Sequence, residues 1–267
     1  AGVCFGNAVV DECGICAGPG AIYECGCSDI PDGFCNCNEE SNLFFSEIAE
    51  ASSGSNNYVE IFNGTGSQVN LSEYSIRIYR NNGTIYNLTL DDESGASINE
   101  GFLDTGSTLV VVDNDTGDLC GPNDPYLQCI ENNIQFIEHT RISDLNGDDV
   151  IELYHNDDLI DTFGDAANVG TEFDIAGVDE GSKNHTLVRK PDVCVGNLDW
   201  NLSAGSNSEN SEWIVFDINT FVFGGNHFQN GSEIYEYGCT DLEACNFNLD
   251  ANIYGYDSVF CEYPEEN

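Results

Sequence analysis

From residue 43 the chain alternates short apolar runs with polar breaks. LFFSEIAE, NYVEIFN, EYSIRIYR, TIYNLTL, STLVVVD, VIELYH, DLIDTFG, TLVRK and EWIVFD follow one another. Each run is rich in β-branched and aromatic residues, and each is bounded by Gly, Asn, Asp or Ser, which is the pattern of β-strands. Ile76 and Ile78 flank Arg77, and Leu153 follows Glu152, so these strands are expected to have one wet and one dry face. No segment has the 3.6-residue repeat of an amphipathic helix. The pattern predicts an all-β fold, an antiparallel β-sandwich over residues 43–222. Asn156–Leu159 reads as a hairpin turn. Residues 164–184 read as a long loop with room for a short helical turn, and residues 201–211 read as a second loop. Beyond 217, the Gly- and Asn-rich FGGNHFQNGS reads as a linker.

The two ends differ from this body. Residues 1–38 and 238–264 are rich in Cys, Gly, Asp and Asn and poor in aliphatic residues. Segments so short cannot offset their ordering entropy by apolar burial and need covalent or metal clamps. Thirteen cysteines are present, seven of them within residues 4–37. That density predicts an oxidising compartment and small disulfide-rich modules at both ends. The Cys25/Cys27 and Cys35/Cys37 pairs, with no His nearby, argue against tetrahedral zinc at Cys13–Cys16. A bridge between Cys239 and Cys261 would enclose the tail and contribute roughly 3 kcal/mol, leaving Cys245 for Cys194 or another chain. The odd count leaves at least one thiol free or bonded outside the chain. The sequence starts at Ala and holds no Met, so it reads as a mature product or an excised piece.

Charge narrows the function classes. Six Lys and Arg stand against 48 Asp and Glu, a net charge of −42. Such a surface repels nucleic acid and anionic membranes. No apolar run reaches the ~18–20 residues of a membrane span, so direct insertion is not expected. Salt adaptation and calcium binding both fit the excess of carboxylates. Calcium prefers oxygen donors in irregular geometry, and three clusters offer them: Asp144, Asn146 and Asp148; Asp113, Asp115 and Asp118; and Asp241, Asn246, Asn248 and Asp250. The first lacks the Gly and Glu placement of an EF-hand, and a polar turn without metal is the competing reading of each cluster. Eight N-x-[ST] acceptors occur, at Asn63, Asn70, Asn82, Asn87, Asn114, Asn184, Asn201 and Asn230. They predict a glycoprotein if the source makes N-glycans. Metalloprotease, nucleophile-elbow, phosphate-loop and dinucleotide motifs are all missing from the sequence, and the four histidines are scattered, so no enzyme is expected. Trp200 and Trp213 could stack on a sugar, although Trp213 lies in a strand pattern and is expected in the core.

Several segments together carry a resemblance. Ser-Glu-Ile at 46–48 is followed by Tyr-Val-Glu-Ile-Phe-Asn at 58–63 and Val-Asn-Leu-Ser-Glu-Tyr at 69–74. Further on come Leu-Asn-Gly-Asp-Asp-Val-Ile-Glu-Leu-Tyr at 145–154, Asp-Thr-Phe-Gly at 161–164, Leu-Val-Arg-Lys at 187–190 and Ser-Glu-Trp-Ile-Val at 211–215. The succession resembles the lamin tail domain, an immunoglobulin-like sandwich, in the form found in secreted bacterial proteins. On that pattern the Cys120–Cys129 loop looks like a disulfide-closed insertion. The tail, with Gly-Cys-Thr-Asp, Ala-Cys-Asn-Phe-Asn and Cys-Glu-Tyr-Pro, resembles a short repeat of marine bacterial surface proteins. The head, with Val-Val-Asp-Glu-Cys-Gly-Ile-Cys-Ala-Gly, resembles another. The resemblances imply a non-catalytic extracellular or cell-surface protein with a structural or scaffolding role in a filament, sheath or matrix. Its partners would be copies of itself or other surface proteins. Adhesion to glycans or another surface is the alternative.

Overall fold

The computed structural model describes residues 40–91, 101–113, 134–221 and 223–227, with positions 11, 13, 15, 19, 20, 120 and 127. Twelve strands occur in this part of the chain: β1 Leu43–Ala49, β2 Tyr58–Asn63, β3 Val69–Asn70, β4 Tyr74–Tyr79, β5 Ile85–Thr89, β6 Phe102–Leu103, β7 Thr108–Val112, β8 Gln135–Glu138, β9 Val150–His155, β10 Asp158–Phe163, β11 His185–Arg189 and β12 Trp213–Asp217. Six form one sheet in the order β12-β11-β1-β2-β7-β8, four form a second in the order β10-β9-β4-β5, and β3 pairs with β6. The two larger sheets enclose a core that includes Phe45, Ile61, Ile76, Ile78, Val111, Leu153, Phe163 and Trp213. Each fully buried side chain of this size contributes about 1.5–3 kcal/mol.

All nine predicted strands are present. Asn156, with φ +55°, and Asp157 make the tight turn between β9 and β10. Pairing is antiparallel except at one edge, where β8 runs parallel to β7, with Val110 opposite Phe136. The expectation of a purely antiparallel sandwich is corrected here. A parallel pair needs a crossover of a dozen residues or more, and the long connection 113–134 supplies it. The short β3, β6 and β8 escape pattern reading because two to four residues do not establish an alternation. The helix α1, Trp200–Ala204, lies in a segment read as loop. It is a single turn, too short for a periodic signal, started by Asp199, whose carboxylate accepts the amides of Asn201 and Leu202.

The wet-and-dry expectation holds for β4, which alternates buried and half-buried positions. It fails for β1, β2 and β7, where every residue is buried. The six-stranded sheet is covered on its outer face too. Cys120, Leu127, Ile134 and Phe221 pack there on Tyr58, Val110 and Val112, and Phe223 packs on Val188 and Phe216. The segment 221–227, read as a linker, is therefore seated on the sheet. Glu152, expected on the wet face, is also buried, and its carboxylate accepts the Tyr154 hydroxyl at 2.5 Å.

The sheets are joined by a buried ion pair. Asp161 of β10 and Arg189 of β11 have fully buried side chains, with Nη2 3.1 Å from Oδ1. The same carboxylate accepts the amides of Phe45 at 2.8 Å, Asn197 at 2.8 Å and Thr162 at 3.0 Å. Gly196 makes the approach of residues 194–197 possible, since a Cβ there would lie 2.2 Å from the Ile160 carbonyl oxygen. Arg189 also reaches Glu212 at 3.2 Å and lies 4.5 Å over the Trp213 ring. Removing one partner of such a pair leaves an uncompensated buried charge. Arg189→Met is expected to cost about 3–5 kcal/mol, read as a lower urea midpoint. A loss under 1 kcal/mol would show that Asp161 is held by its amide donors alone.

Candidate functional site

All six cationic side chains lie within residues 77–190, and each has a partner inside the sandwich. Arg77 sits 3.9 Å over the Tyr154 ring, and Lys190 donates to the Ser208 carbonyl at 2.6 Å. Lys183 pairs with Glu172 at 2.5 Å, and Arg189 serves the buried joint. Arg80 reaches Asp149 at 3.1 Å and Asp144 at 3.8 Å, while Arg141 reaches Asp144 at 3.3 Å and covers Tyr86.

These arginines decide how the first calcium candidate looks. Asp144 faces two guanidinium groups, which occupy the electrostatic place a cation would take. Asp148 accepts the Asn81 side-chain amide at 2.9 Å, and the Asn146 backbone amide turns to Asp149. Asp144, Asn146 and Asp148 thus stand on one turn but serve different partners. Burial pushes the Asp149 carboxyl up to about 7, against the pull of Arg80. Among the described residues no three His, Cys, Asp or Glu side chains form a metal-holding group. Asp113 is buried at the end of β7, where its charge adds to burial in raising Glu138. Asp115, Asp118, Asp241, Asn246, Asn248 and Asp250 lie outside the described residues.

The cysteines divide in the same way. Cys13, Cys120 and Cys194 are each disulfide-bonded. Cys129, Cys239 and Cys261 lie outside the described residues. In the head, the Asp11 carboxylate accepts the amides of Cys13, Ile15 and Gly20, closing a small loop beside one bridge. These donors, that of Ile15 first, lower the Asp11 carboxyl below its ordinary range. At the start of the sandwich, the Ser41 hydroxyl donates to the Cys194 carbonyl, and the Asn42 side chain accepts the Gly196 amide at 2.9 Å. The chain thus enters the body beside a disulfide.

A cleft of about 610 Å³ opens between residues 165–179 and α1, with Asp165, Glu172, Asp174 and Asp179 on its rim and Trp200 at its base. Trp200 meets Phe163 and Phe173 edge-on at 4.9 and 5.6 Å. Trp213 is fully buried and donates its indole N–H to Ser203 at 2.9 Å. With both indoles packed in the core, neither forms a stacking platform for a sugar. The histidines sit in separate settings. His155 stacks on Tyr74, His185 contacts the Lys183 carbonyl, and His139 accepts the Arg141 amide. His227 lies between Phe44 and Phe62, where burial first, then Arg189, pushes its pKa down to about 3.

The sequence reading did not single out the pair Glu47 and Glu60, which are 1% and 0% exposed and directly opposite on β1 and β2. Its signal was available, a lone Glu inside each apolar run, Ser-Glu-Ile and Tyr-Val-Glu-Ile-Phe.

The glycan acceptors separate by exposure. Asn82, Asn87, Asn184 and Asn201 are exposed, Asn70 is half-buried, and Asn114 and Asn230 lie outside the described residues. Asn63 is fully buried, and its Nδ2 donates to the Ser67 and Leu103 carbonyls, each at 2.9 Å. A glycan on that nitrogen cannot coexist with the fold. Protein secreted from a glycosylating host is expected to carry glycans at exposed acceptors and none at Asn63, read by peptide mass spectrometry. Asn63→Ala is expected to cost about 1–3 kcal/mol, because it removes the buried donor to the Leu103 carbonyl, while the Ser67 carbonyl keeps the Thr65 hydroxyl.

No curated protein and no solved structure matches the chain. A family model does match, and its span covers β1 to β10 but stops short of β11 and β12, which complete the six-stranded sheet. Residues 38–166 match the model of the Lamin Tail Domain family.

Proposed function

We propose that this chain is a non-enzymatic extracellular structural protein, a subunit of a cell-surface fibre, sheath or matrix held by disulfides and calcium. The observation that carries this reading is the placement of charge. All six cations are engaged within the sandwich, so the rest of the surface belongs to carboxylates. Acidic bodies of this kind approach one another only when external cations screen them. Calcium serves here as an intermolecular counterion, a role that suits exposed acids better than the arginine-clamped Asp144 turn. The bridge at Cys194, beside the entry of the chain into the sandwich, supports a role for the Cys-rich ends as connectors. The marine-bacterial surface repeats that the two ends resemble fit such a connector role.

A second reading, an adhesion module for a glycan or another surface, rests on the acidic cleft beside α1. Its ligand would be gripped by carboxylate and amide hydrogen bonds, since Trp200 and Trp213 are packed away.

Electron microscopy of native-source material, with calcium and after chelation, tests the first reading. Ordered fibres or sheets that dissolve on chelation are the expected result. Isolated particles in both conditions would overturn it, and a saturable hit on a glycan array would then favour the second.

A further inference from the structure

One row of cross-strand partners runs over the outer face of the six-stranded sheet: Ile214, Val188, Glu47, Glu60, Val110, Phe136. Two carboxyl groups thus stand side by side in the middle of an otherwise apolar row. Tyr58 donates its hydroxyl to Glu47, and Ser46 donates to Glu60 at 2.6 Å. The other Glu60 oxygen accepts the amide of Gly225, while the second oxygen of Glu47 has no hydrogen-bond partner. Gly224 and Gly225 press on the site so closely that a Cβ would lie 2.4 Å from Leu127 and 2.3 Å from Ile134. The segment 221–227 is therefore a strap, tied to the sheet through Glu60.

The surroundings offer the pair no compensating charge among the described residues. On β1 the neighbour is Ser46, on β2 it is Tyr58, on β7 they are Val110 and Val112, and on β11 they are Thr186 and Val188. The segment around 120–134 contributes the disulfide-bonded Cys120, with Leu127 and Ile134. Arg189 is committed to Asp161 and Glu212. His227, on the strap, is held neutral by burial. Two adjacent buried carboxylates with only neutral donors cannot both ionise without a large desolvation and repulsion cost.

We propose that Glu47 and Glu60 form a proton-operated latch, which seats the 221–227 strap while the pair holds a proton and lets it lift when both carboxylates ionise, the proton passing to solvent. Burial raises both groups, Glu60 to about 7, and the charge of Glu60 adds to the rise at Glu47. Their folded values stand above the unfolded ones. The stability Glu60 contributes is complete below the ordinary Glu range and is lost as pH rises through about 7, and Glu47 is shifted in the same direction. His227 acts in the opposite sense, since its depressed value makes seating weaken as pH falls from about 6.5 toward 3. The strap is thus held most firmly at mildly acidic pH. The residues that follow it in the sequence, 228–267, change their tether to the body when it lifts.

Hydrogen exchange read by mass spectrometry on the full chain tests the latch at pH 6 and pH 8.5, with rates corrected for intrinsic exchange. Peptides spanning 221–227 are expected to lose protection about tenfold or more at the higher pH, while β2 peptides stay protected. Glu60→Gln keeps an acceptor for Gly225 without the charge, and its protection should not fall at the higher pH. Glu47→Gln leaves one carboxylate with two donors and should likewise hold the strap at pH 8.5, so either variant suffices if the other fails to fold. Strap protection that is independent of pH in the unaltered protein overturns the proposal. So does an unchanged loss at high pH in a folded variant.

Discussion

The buried carboxylate of Asp161 sets the relation between the two sheets. It belongs to β10 in the four-stranded sheet, yet three of its four donors come from elsewhere: Arg189 on β11, the Phe45 amide on β1 and the Asn197 amide in the loop before α1. A buried ion pair alone is poor evidence for stability, because desolvation can cancel its Coulomb gain. Here the extra amide donors change the balance, since they satisfy lone pairs that would otherwise be stranded. Both strands also lose regular register at this point, between Phe45 and Glu47 in β1 and between Leu159 and Asp161 in β10. Such irregularities re-aim backbone groups. They free the Phe45 amide to cross between sheets and turn Asp161 inward toward it.

The charge distribution follows from the same scarcity. With six cations for 48 acids, most carboxylates cannot be paired within the chain. Four of the six cations meet carboxylates, at the Asp161 joint, in the Asp144–Asp149 turn and at Glu172 beside the cleft. What remains outside is an acidic shell whose mutual repulsion depends on salt and divalent ions.

Legibility in the sequence tracked the length and regularity of each element. The nine longer strands announce themselves through apolar runs with turn residues between them, and VIELYH-NDDL-IDTF reads directly as a hairpin. The pattern cannot reveal β8, because four residues do not establish an alternation and nothing local marks its parallel pairing with β7. Nor can it reveal that Phe221 and Phe223 are seated, because the chain beyond 217 looks like a linker until these two rings find Tyr58, Val188 and Phe216. The Asp144–Asn146–Asp148 spacing was visible, but its partners Arg80 and Arg141 are distant in sequence, so a cation-like turn turned out to be clamped by guanidinium groups. The Glu47–Glu60 pair was hidden for a related reason. A Glu in a strand reads as solvent-facing, and only the cover over the second face makes it buried.

That cover is what separates this body from a simple two-layer sandwich. Residues 38–166 supply ten strands, yet β1 would remain an edge of the six-stranded sheet without β11 and β12, which follow. The outer face would remain open without the segments around 120–134 and 221–227. An open face with Phe44, Tyr58, Phe62, Val110 and Val112 would be an exposed apolar patch of the kind that drives association. Among the described residues, Cys120, Leu127, Ile134, Phe221 and Phe223 close it, with the Gly225 amide tied to Glu60 beside them. In this chain that cover is also the path by which the sandwich joins the Cys-rich tail.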